Sequence, residues 1–525
     1  MRTIKAIFLL IAGLTGLIEC SVGLGRDQIR DIAARDIYDL LSKIITVQGI
    51  TYGITAQPVY FKRTGKTSGE ISLYIDNIYY GKEISDISFL QIDNIDSLAI
   101  EGNSVVNDGL KLEIFTRSYK SAVPVSEVRY KDAFFNYRDL SADIFQFIAP
   151  DFSFLVSGGI FDWKDNRDKY DDFKFPYTRQ NYRLKLDLPQ VRGIKPVLDV
   201  SYVKEDKYLL ASDSSHVKPE QIRSALSLEN KINNQLNNRF TTVHLHEISG
   251  STDNFFSFYN TLIYTDTLNV LSATAGFDTK IDDSNLFYLK PEYKRSAIVD
   301  LSIAGYAAAD DNSDNIMSAH IGFSKEYQYI GFETSHGYFT DETDDRDIEL
   351  IENFITLNKD FIFGSIDYGI EAGYDMFDYS KIHSRDFFRF GFSADYKNKL
   401  CFTEQYLRSA SGRINDSVLM NNLSQISFTD KYFNNKLTVS IALDHCYSEY
   451  YVGSRLEYMN NLSFNFTARI VNFEFYYGSD NFLKDKYEFN GNIYEANKHY
   501  RYQTVDGFDM RTMDEIWGVR WTFYR

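Results

Sequence analysis

Eight histidines are spread through this chain of 525 residues, and none falls into a nucleophile–histidine–acid pattern. Acyl transfer by an activated serine or cysteine has no legible seat here, so an enzyme is not expected. His244 and His246 stand two apart. On a strand they share one face, expected to be the lumen side of the closed sheet argued below. Two ligands do not define a metal site, so the pair reads first as polar wall. Lys62, Arg63 and Lys66 form a basic loop in a chain of formal charge −17. Such a loop either meets an anionic ligand or pairs with acidic neighbours. Tyr79 and Tyr80 place two rings in the next turn, to stack on a ligand or to pack on a wall. Near the C-terminus, one long polar stretch from about Asp480 to Glu515 holds Tyr487, Phe489, Tyr494, His499, Tyr500, Tyr502 and Phe508. Aromatic loops catch ligands because they give contact area at low entropy cost; the same rings can instead pack on one another over an opening. No cofactor motif is legible.

The elements that must position these residues are strands. From about Glu127 onward, apolar and polar residues alternate with a period of two. Tyr182, Leu184, Leu186 and Leu188 oppose Arg183, Lys185 and Asp187. Val299, Leu301 and Ile303 oppose Asp300, Ser302 and Ala304. Leu437, Val439, Ile441 and Leu443 oppose Thr438, Ser440 and Ala442. In the last strand, Ile516 to Arg525, the residues Trp517, Val519, Trp521 and Phe523 share a face. Charged residues between apolar ones exclude burial on both faces and suit lipid outside and water inside. Only helices and closed barrels span a bilayer with every backbone group satisfied. Short turns near Pro150–Asp151, Asn233–Asn238, Lys294–Ser296, Tyr396–Lys399 and Arg469–Asn472 alternate with longer loops near Lys164–Phe175, Asp310–Asn315, Thr340–Asp347 and Ala410–Asp416. Counted from Ser126, this parity predicts an antiparallel transmembrane β-barrel of about 22 strands, within a range of about 20 to 24.

Composition agrees. Mean hydropathy is −0.32, as expected when only every second residue meets lipid. The 39 Tyr and 41 Phe suit aromatic girdles at two membrane interfaces. The acidic balance argues against nucleic acid as a partner and fits polar lumen walls. The first residues, MRTIKAIFLLIAGLTGLIECSVGLG, have a basic start at Arg2 and Lys5, an apolar run from Ala6 to Ile18 and small residues after it. That is a signal peptide, with cleavage expected after Gly23. Cys20 opens a lipoprotein alternative, against which stands Glu19 where a small residue is usual. Cys401 and Cys446 lie in different strands and are expected to be free thiols.

Residues 24–120 form a smaller α/β segment ahead of the barrel at 121–525. Asp27 to Ile44 reads as an amphipathic helix capped by Asp27, with Ile29, Ile32, Ala33, Leu40, Leu41 and Ile44 on one face. Strands follow at Ile71–Ile75, Ile92–Ile100 and Leu110–Thr116. Four stretches here resemble the plug domain of TonB-dependent outer-membrane receptors. IRDIAARDIYDLLSKIITVQGI (Ile29 to Ile50) resembles the family's opening helix. SLYIDNIYYG (Ser72 to Gly81) resembles its hydrophobic-Asp-Gly turn, with Asp76 kept and Asn77 in the glycine position. IDNIDSLAIEGN (Ile92 to Asn103) and GLKLEIFTRS (Gly109 to Ser118) resemble its later strands, with Ala99 where Glu is usual. The resemblance implies an all-β outer-membrane receptor of a Gram-negative-type bacterium, set in outer-membrane lipid and taking up a scarce small-molecule ligand such as a metal chelate. It places Lys62, Arg63, Lys66, Tyr79 and Tyr80 toward an anionic ligand such as a ferric siderophore, with Tyr494, His499 and Tyr502 above. It also implies the TonB energy-transducing complex as a partner, although no TonB box is legible between Gly23 and Asp27. A structural, adhesive or porin-like barrel with a vestigial plug is the alternative.

Overall fold

The computed structural model describes residues 22–26, 29, 37–42, 47–51, 58–63, 71–81, 90–101, 110–117 and, from 123 to 524, the strands with many of the turns between them. The N-terminal part holds β1 (Val22–Gly25), α1 (Ile37–Ser42), β2 (Val47–Thr51), β3 (Pro58–Arg63), β4 (Ile71–Ile75), β5 (Ile78–Gly81), β6 (Ile95–Glu101) and β7 (Leu110–Thr116). Five of these strands form one mixed sheet in the order β1-β6-β7-β4-β5, while β2 and β3 form a separate hairpin. The alternation of ISLYI and LKLEIFT explains the sheet's core. Leu73, Ile75, Leu112 and Ile114 point to one side and are fully or almost fully buried with Leu40 and Leu41 of α1. Each such side chain contributes about 1.5–3 kcal/mol by leaving water. Of the expected helix face, Ile29, Leu40 and Leu41 lie in this core and Ile37 joins them; Ile32, Ala33 and Ile44 fall outside the described residues.

Two departures from the expected plug are local. The strand expected over Ile92–Ile100 begins as a 3-10 turn, Ile92–Asn94, and becomes β6 only at Ile95. The cause is polar: Asn94 turns its side chain onto the barrel wall, as described below. β1 occupies Val22–Gly25, across the expected cleavage point, pairing Val22 with Ile100 and Gly25 with Ser97.

The barrel begins with β8 (Val125–Ala133), β9 (Tyr137–Ala149), β10 (Phe152–Trp163), β11 (Tyr177–Asp187), β12 (Ile194–Tyr208), the two-residue β13 (His216–Val217), β14 (Glu220–Lys231), β15 (Leu236–Glu247), β16 (Asn254–Thr265), β17 (Asn269–Lys280) and β18 (Leu286–Arg295). It continues with β19 (Asp300–Asp310), β20 (Asn315–Glu326), β21 (Ile330–Asp341), β22 (Arg346–Phe361), β23 (Gly364–Phe377), β24 (Arg385–Tyr396), β25 (Leu400–Ser409), β26 (Val418–Tyr432), β27 (Leu437–Val452), β28 (Arg455–Ile470) and β29 (Phe473–Ser479). Two small hairpins follow, β30 (Lys486–Phe489) with β31 (Asn492–Glu495), and β32 (Tyr502–Val505) with β33 (Phe508–Met510), before the last wall strand, β34 (Ile516–Tyr524). β34 pairs with β29 on one side and β8 on the other, which closes the ring. Twenty-three strands make that ring among the described residues; β13 is a short extension beside β12, so twenty-two cross the wall.

The outer wall is apolar where the alternation predicts. Tyr182, Leu184, Ile441, Leu443, Trp517, Trp521 and Phe523 are exposed, while Arg183, Lys185 and Ala442 between them are buried. Tyr396, Tyr432, Phe433, Phe473, Trp521 and Tyr524 gather exposed rings at the rim of short turns, and Phe287, Tyr458 and Trp517 do so toward the other rim. These are the two girdles of a transmembrane barrel. Connections at the short-turn rim, such as 397–399 and 471–472, stay short throughout; at the opposite rim they range from 453–454 to the long 480–515 stretch. His244 and His246 correct the expectation made for them. Thr241 and Val243 of β15 are buried toward the lumen, so the two histidines face outward, where His244 stacks on Phe256 at 4.2 Å between ring centres.

Candidate functional site

The chemistry of the lumen is concentrated where the N-terminal domain meets the wall. Asp76 sits at the tip of the β4–β5 turn, with Asp76 and Asn77 at φ +52° and +62°. Two consecutive positive φ values define a tight hairpin turn, and Asp and Asn are the side-chain-bearing residues that adopt them most readily. The turn therefore tolerates Asn77 in the glycine position. The Asp76 carboxylate accepts hydrogen bonds from the Thr116 N–H at 2.8 Å, the Thr116 hydroxyl at 2.5 Å and the Lys185 ammonium at 2.6 Å. Arg183 approaches it to 3.5 Å and is itself forked onto Asp199. Burial works against the charge on Asp76. Lys185 and Arg183, with the hydrogen bonds from Lys185 and Thr116, outweigh it and hold the carboxyl below its ordinary 3.8.

Three further contacts tie the same side of the domain down. Gln91 donates to Asn181 at 3.0 Å and accepts from Arg129 at 3.1 Å, and Arg129 reaches Asp139. Gln91 fits because the wall residue facing it is Gly159: a Cβ there would lie 2.2 Å from Gln91 Nε2. Asn94 donates to Asp143 at 3.1 Å and to Ser157 at 2.9 Å. Arg117, at the exit of β7, donates to Glu127 at 2.6 Å and covers the ring of Phe145. These partners stand on β8, β9, β10 and β11. Around the wall the contact changes character. Val203, Ala225, Val243 and Tyr259, from β12 and β14 to β16, belong to the apolar core of the domain itself. Lys290 of β18 then meets the Tyr74 hydroxyl at 3.4 Å. The described polar anchors are thus gathered mainly on β8–β11, beside an apolar contact on β12–β16.

The residues singled out from sequence fall as follows. Lys62 and Arg63 belong to strand β3 rather than a loop, opposite Gln48 and Val47. Pairing with β2 carries the hairpin through both of them. Lys66 and His499 lie outside the described residues. Tyr79 and Tyr80 are in strand β5, with Tyr79 opposite Tyr74; the turn itself is Asp76–Asn77. Tyr494 pairs with Tyr487 in the β30–β31 hairpin, and Tyr502 pairs with Met510 in the β32–β33 hairpin. The long stretch thus folds into paired strands in part. One convergence stands out: β32 lies against β2 as well as against β27 and β28, with Cα atoms within 8 Å. The hairpin carrying Lys62 and Arg63 and the hairpin carrying Tyr502 therefore come together beside β27 and β28 of the wall. Sequence reasoning missed Gln91, Asn94 and Arg129. Their signal was present in the wall: inward charges at Arg183 and Lys185 need partners in a filled lumen. Among the described residues no group of three His, Cys, Asp or Glu is placed to hold a metal.

A closed membrane barrel with an α/β domain lodged in its lumen is a plugged transmembrane barrel. No protein-family model matches the chain, and no curated protein matches it in sequence. Solved structures match it in fold. The siderophore receptor PirA from Acinetobacter baumannii superposes with a TM-score of 0.73 at 8% identity, covering 96% of this chain and 98% of that one. The FrpB iron transporter from Neisseria meningitidis gives 0.69 at 9%, covering 95% and 98%. A mutant of the ferric enterobactin receptor PfeA from Pseudomonas aeruginosa, in complex with enterobactin, gives 0.71 at 8%, covering 97% and 100%. At such identities the likeness is one of fold. Over 95–97% of its length the chain shares the plug-and-barrel fold of these receptors and this transporter.

Proposed function

We propose that this protein is an outer-membrane receptor that takes up a scarce small ligand, of the metal-chelate class, by rearranging its plug. The observation that carries the reading is the plug's attachment. A 22-strand lumen is wide enough to need a stopper, and this one is held to its wall by hydrogen-bonded polar pairs. Such pairs lose much when one partner is pulled away, yet re-form without covalent change. On this reading the short-turn rim is periplasmic and the 480–515 stretch external. The ligand binds where the β32–β33 hairpin meets β2 and β3, with Lys62, Arg63, Lys66, Tyr79 and Tyr80 below and Tyr494, His499 and Tyr502 above. Deleting residues 26–118 and recording conductance in planar bilayers tests the reading. A large rise is expected, and unchanged conductance overturns it.

The absence of a legible TonB box favours a second reading, a structural, adhesive or porin-like barrel whose plug no longer moves. Uptake in cells with and without TonB separates the two: TonB-dependent accumulation of a ferric chelate supports the receptor, and TonB-independence removes energised transport. The edge strand β1, four residues long with two glycines, is the described segment best suited to exchange partners, because a short terminal strand at a sheet edge is held by few bonds.

A further inference from the structure

The outer wall carries one charge away from its rims. Among the outward positions whose side chains are described, Asp, Glu, Lys and Arg gather toward strand ends: Asp132, Arg138, Lys204 and Glu220 toward one rim, Arg295 and Asp430 toward the other. Glu404 is the exception, in the middle of β25. Its facing follows from register. Glu404 stands across from Phe392 and Ser424, and Ser424 across from His445. Ser424 alternates with Ile426, and His445 with Leu443, both exposed on the outer wall, whereas Ala442 and Ser448 are buried on the lumen side. On its own strand Glu404 repeats the facing of exposed Leu400. At ordinary strand rise and tilt it stands about 10 Å deeper than Leu400, well inside an apolar band ~25 Å tall.

Glu404 makes no ion pair or hydrogen bond among the described residues. A carboxylate aimed at hydrocarbon costs free energy unless a polar partner meets it. Four polar side chains adjoin it on the same face. Ser424 donates to Asn422 Oδ1 at 3.3 Å, and Asn460 Oδ1 accepts from His445 Nε2 at 2.8 Å. Both contacts use amide oxygens, so the amide N–H groups of Asn422 and Asn460 stay unused among the described residues. The patch thus has acceptors on β25 and donors on β26 and β28, ringed by exposed Leu400, Ile426, Leu443 and Tyr458. Lipid tails bring no donor to it; a second copy of this chain does. A half-turn about an axis along the membrane normal keeps two copies inserted the same way and at one depth. It sets the acceptor side of each patch toward the donor side of the other, twice. Strands β24–β28 present about 19 Å of wall over a band ~25 Å tall, so two copies would bury about 1,000 Å², the lower bound for a specific interface.

We propose that this face of the wall, centred on Glu404, Ser424 and His445, is the contact between two copies of the protein in the membrane, with the polar groups joining them. The proposal needs only the transmembrane barrel and not the receptor reading, which the plug-deletion conductance tests separately. Full-length protein is brought to sedimentation equilibrium in density-matched detergent at rising protein-to-detergent ratios. A reversible monomer–dimer equilibrium is expected. Its dissociation constant should rise at least about tenfold in Glu404→Leu, because symmetry removes two contacts at once. Asn260 of β16, across from exposed Phe240 on the outer wall, supplies the control, and Asn260→Leu should dimerise as the unaltered protein does. In intact membranes, Ser424→Cys should give an oxidant-dependent disulfide dimer and Asn260→Cys should not. The native thiols leave this readout clear, because Cys401 stands across from Ser427 on the lumen side and Cys446 alternates with buried Ala442 and Ser448. A monomer at every ratio, equal association by Glu404→Leu, or cross-linking at position 260 as strong as at position 424 overturns the proposal. A monomer that loses bound phosphatidylethanolamine on Glu404→Leu also overturns it, and assigns the patch to a lipid amine.

Discussion

Asp76 offers the sharpest test of how the plug is held. Replacing it with alanine removes the anion shared by Lys185 and Arg183 and two acceptor bonds to Thr116. Arg183 retains Asp199, so the stranded group is Lys185, whose side chain is only 11% exposed. Losing one partner of a buried pair costs about 3–5 kcal/mol. The 18% exposure left to Asp76 admits some solvent and places the value near the lower end, about 3 kcal/mol. Alanine also fits the positive φ poorly, adding about 1 kcal/mol; asparagine does not carry that penalty. At 1.4 kcal/mol per factor of ten, the seated-to-released ratio of the plug should fall by roughly a hundredfold in Asp76→Asn and further in Asp76→Ala. The assay is conductance in planar bilayers against urea added from the plug side. The expected order of opening, from least urea to most, is alanine variant, asparagine variant, unaltered protein. Coincident curves for all three would refute the idea that this turn clamps the plug.

The same carboxyl sets a pH dependence. Its pKa is lowered on folding, so its contribution is fully present above the ordinary carboxylate value near 4 and is lost as pH falls through the lowered one. Plug release by urea should therefore be flat from about pH 5 to 8 and become easier below about pH 4. Gly159→Ala pushes a methyl into Gln91 and Asn181, and should loosen the plug by about 1–3 kcal/mol, read as an earlier conductance rise. Cleavage after Gly23 would leave β1 two of its four residues; intact-mass measurement of the mature protein should place its N-terminus before Val22. His244→Gln with His246→Gln should leave ligand uptake and plug release unchanged, because both side chains face outward; a change in either would reverse that placement.

Much of the barrel was legible because its signal is redundant. Each strand repeats the alternation, and the register of one constrains the next, so errors of a residue at strand ends did not propagate: β19 starts at Asp300 rather than Val299, and β15 at Leu236 inside the expected turn. The sense of the two faces was less secure. Across β15 and β16, His244 and Phe256 share the outer wall while Val243 of β15 turns inward to the plug, because a plugged lumen is partly apolar and polarity alone no longer marks it. The plug was readable where a turn demanded particular residues, as at Asp76–Asn77. It was not readable where a strand boundary is set by a distant partner. Asn94 breaks β6 for the sake of Asp143 and Ser157, 49 and 63 residues away. The basic residues of β3 carried a loop's composition on a strand's backbone.

The placement of the anchors also bears on how the molecule can be built. The lumen is open at both ends, but the chain order lets plug and wall meet before the ring closes. The polar anchors lie on β8–β11, the wall strands that follow the plug directly in the chain, and Asp76 meets Lys185 across 109 residues whereas Glu127 meets Thr522 across 395. Short-range encounters form sooner than long-range ones. The emerging chain can therefore assemble the plug against an open, curved half-wall, which then serves as its cradle. Docking of the final strand on β8 then closes the wall around a domain already seated, so the seam between first and last strands completes the molecule.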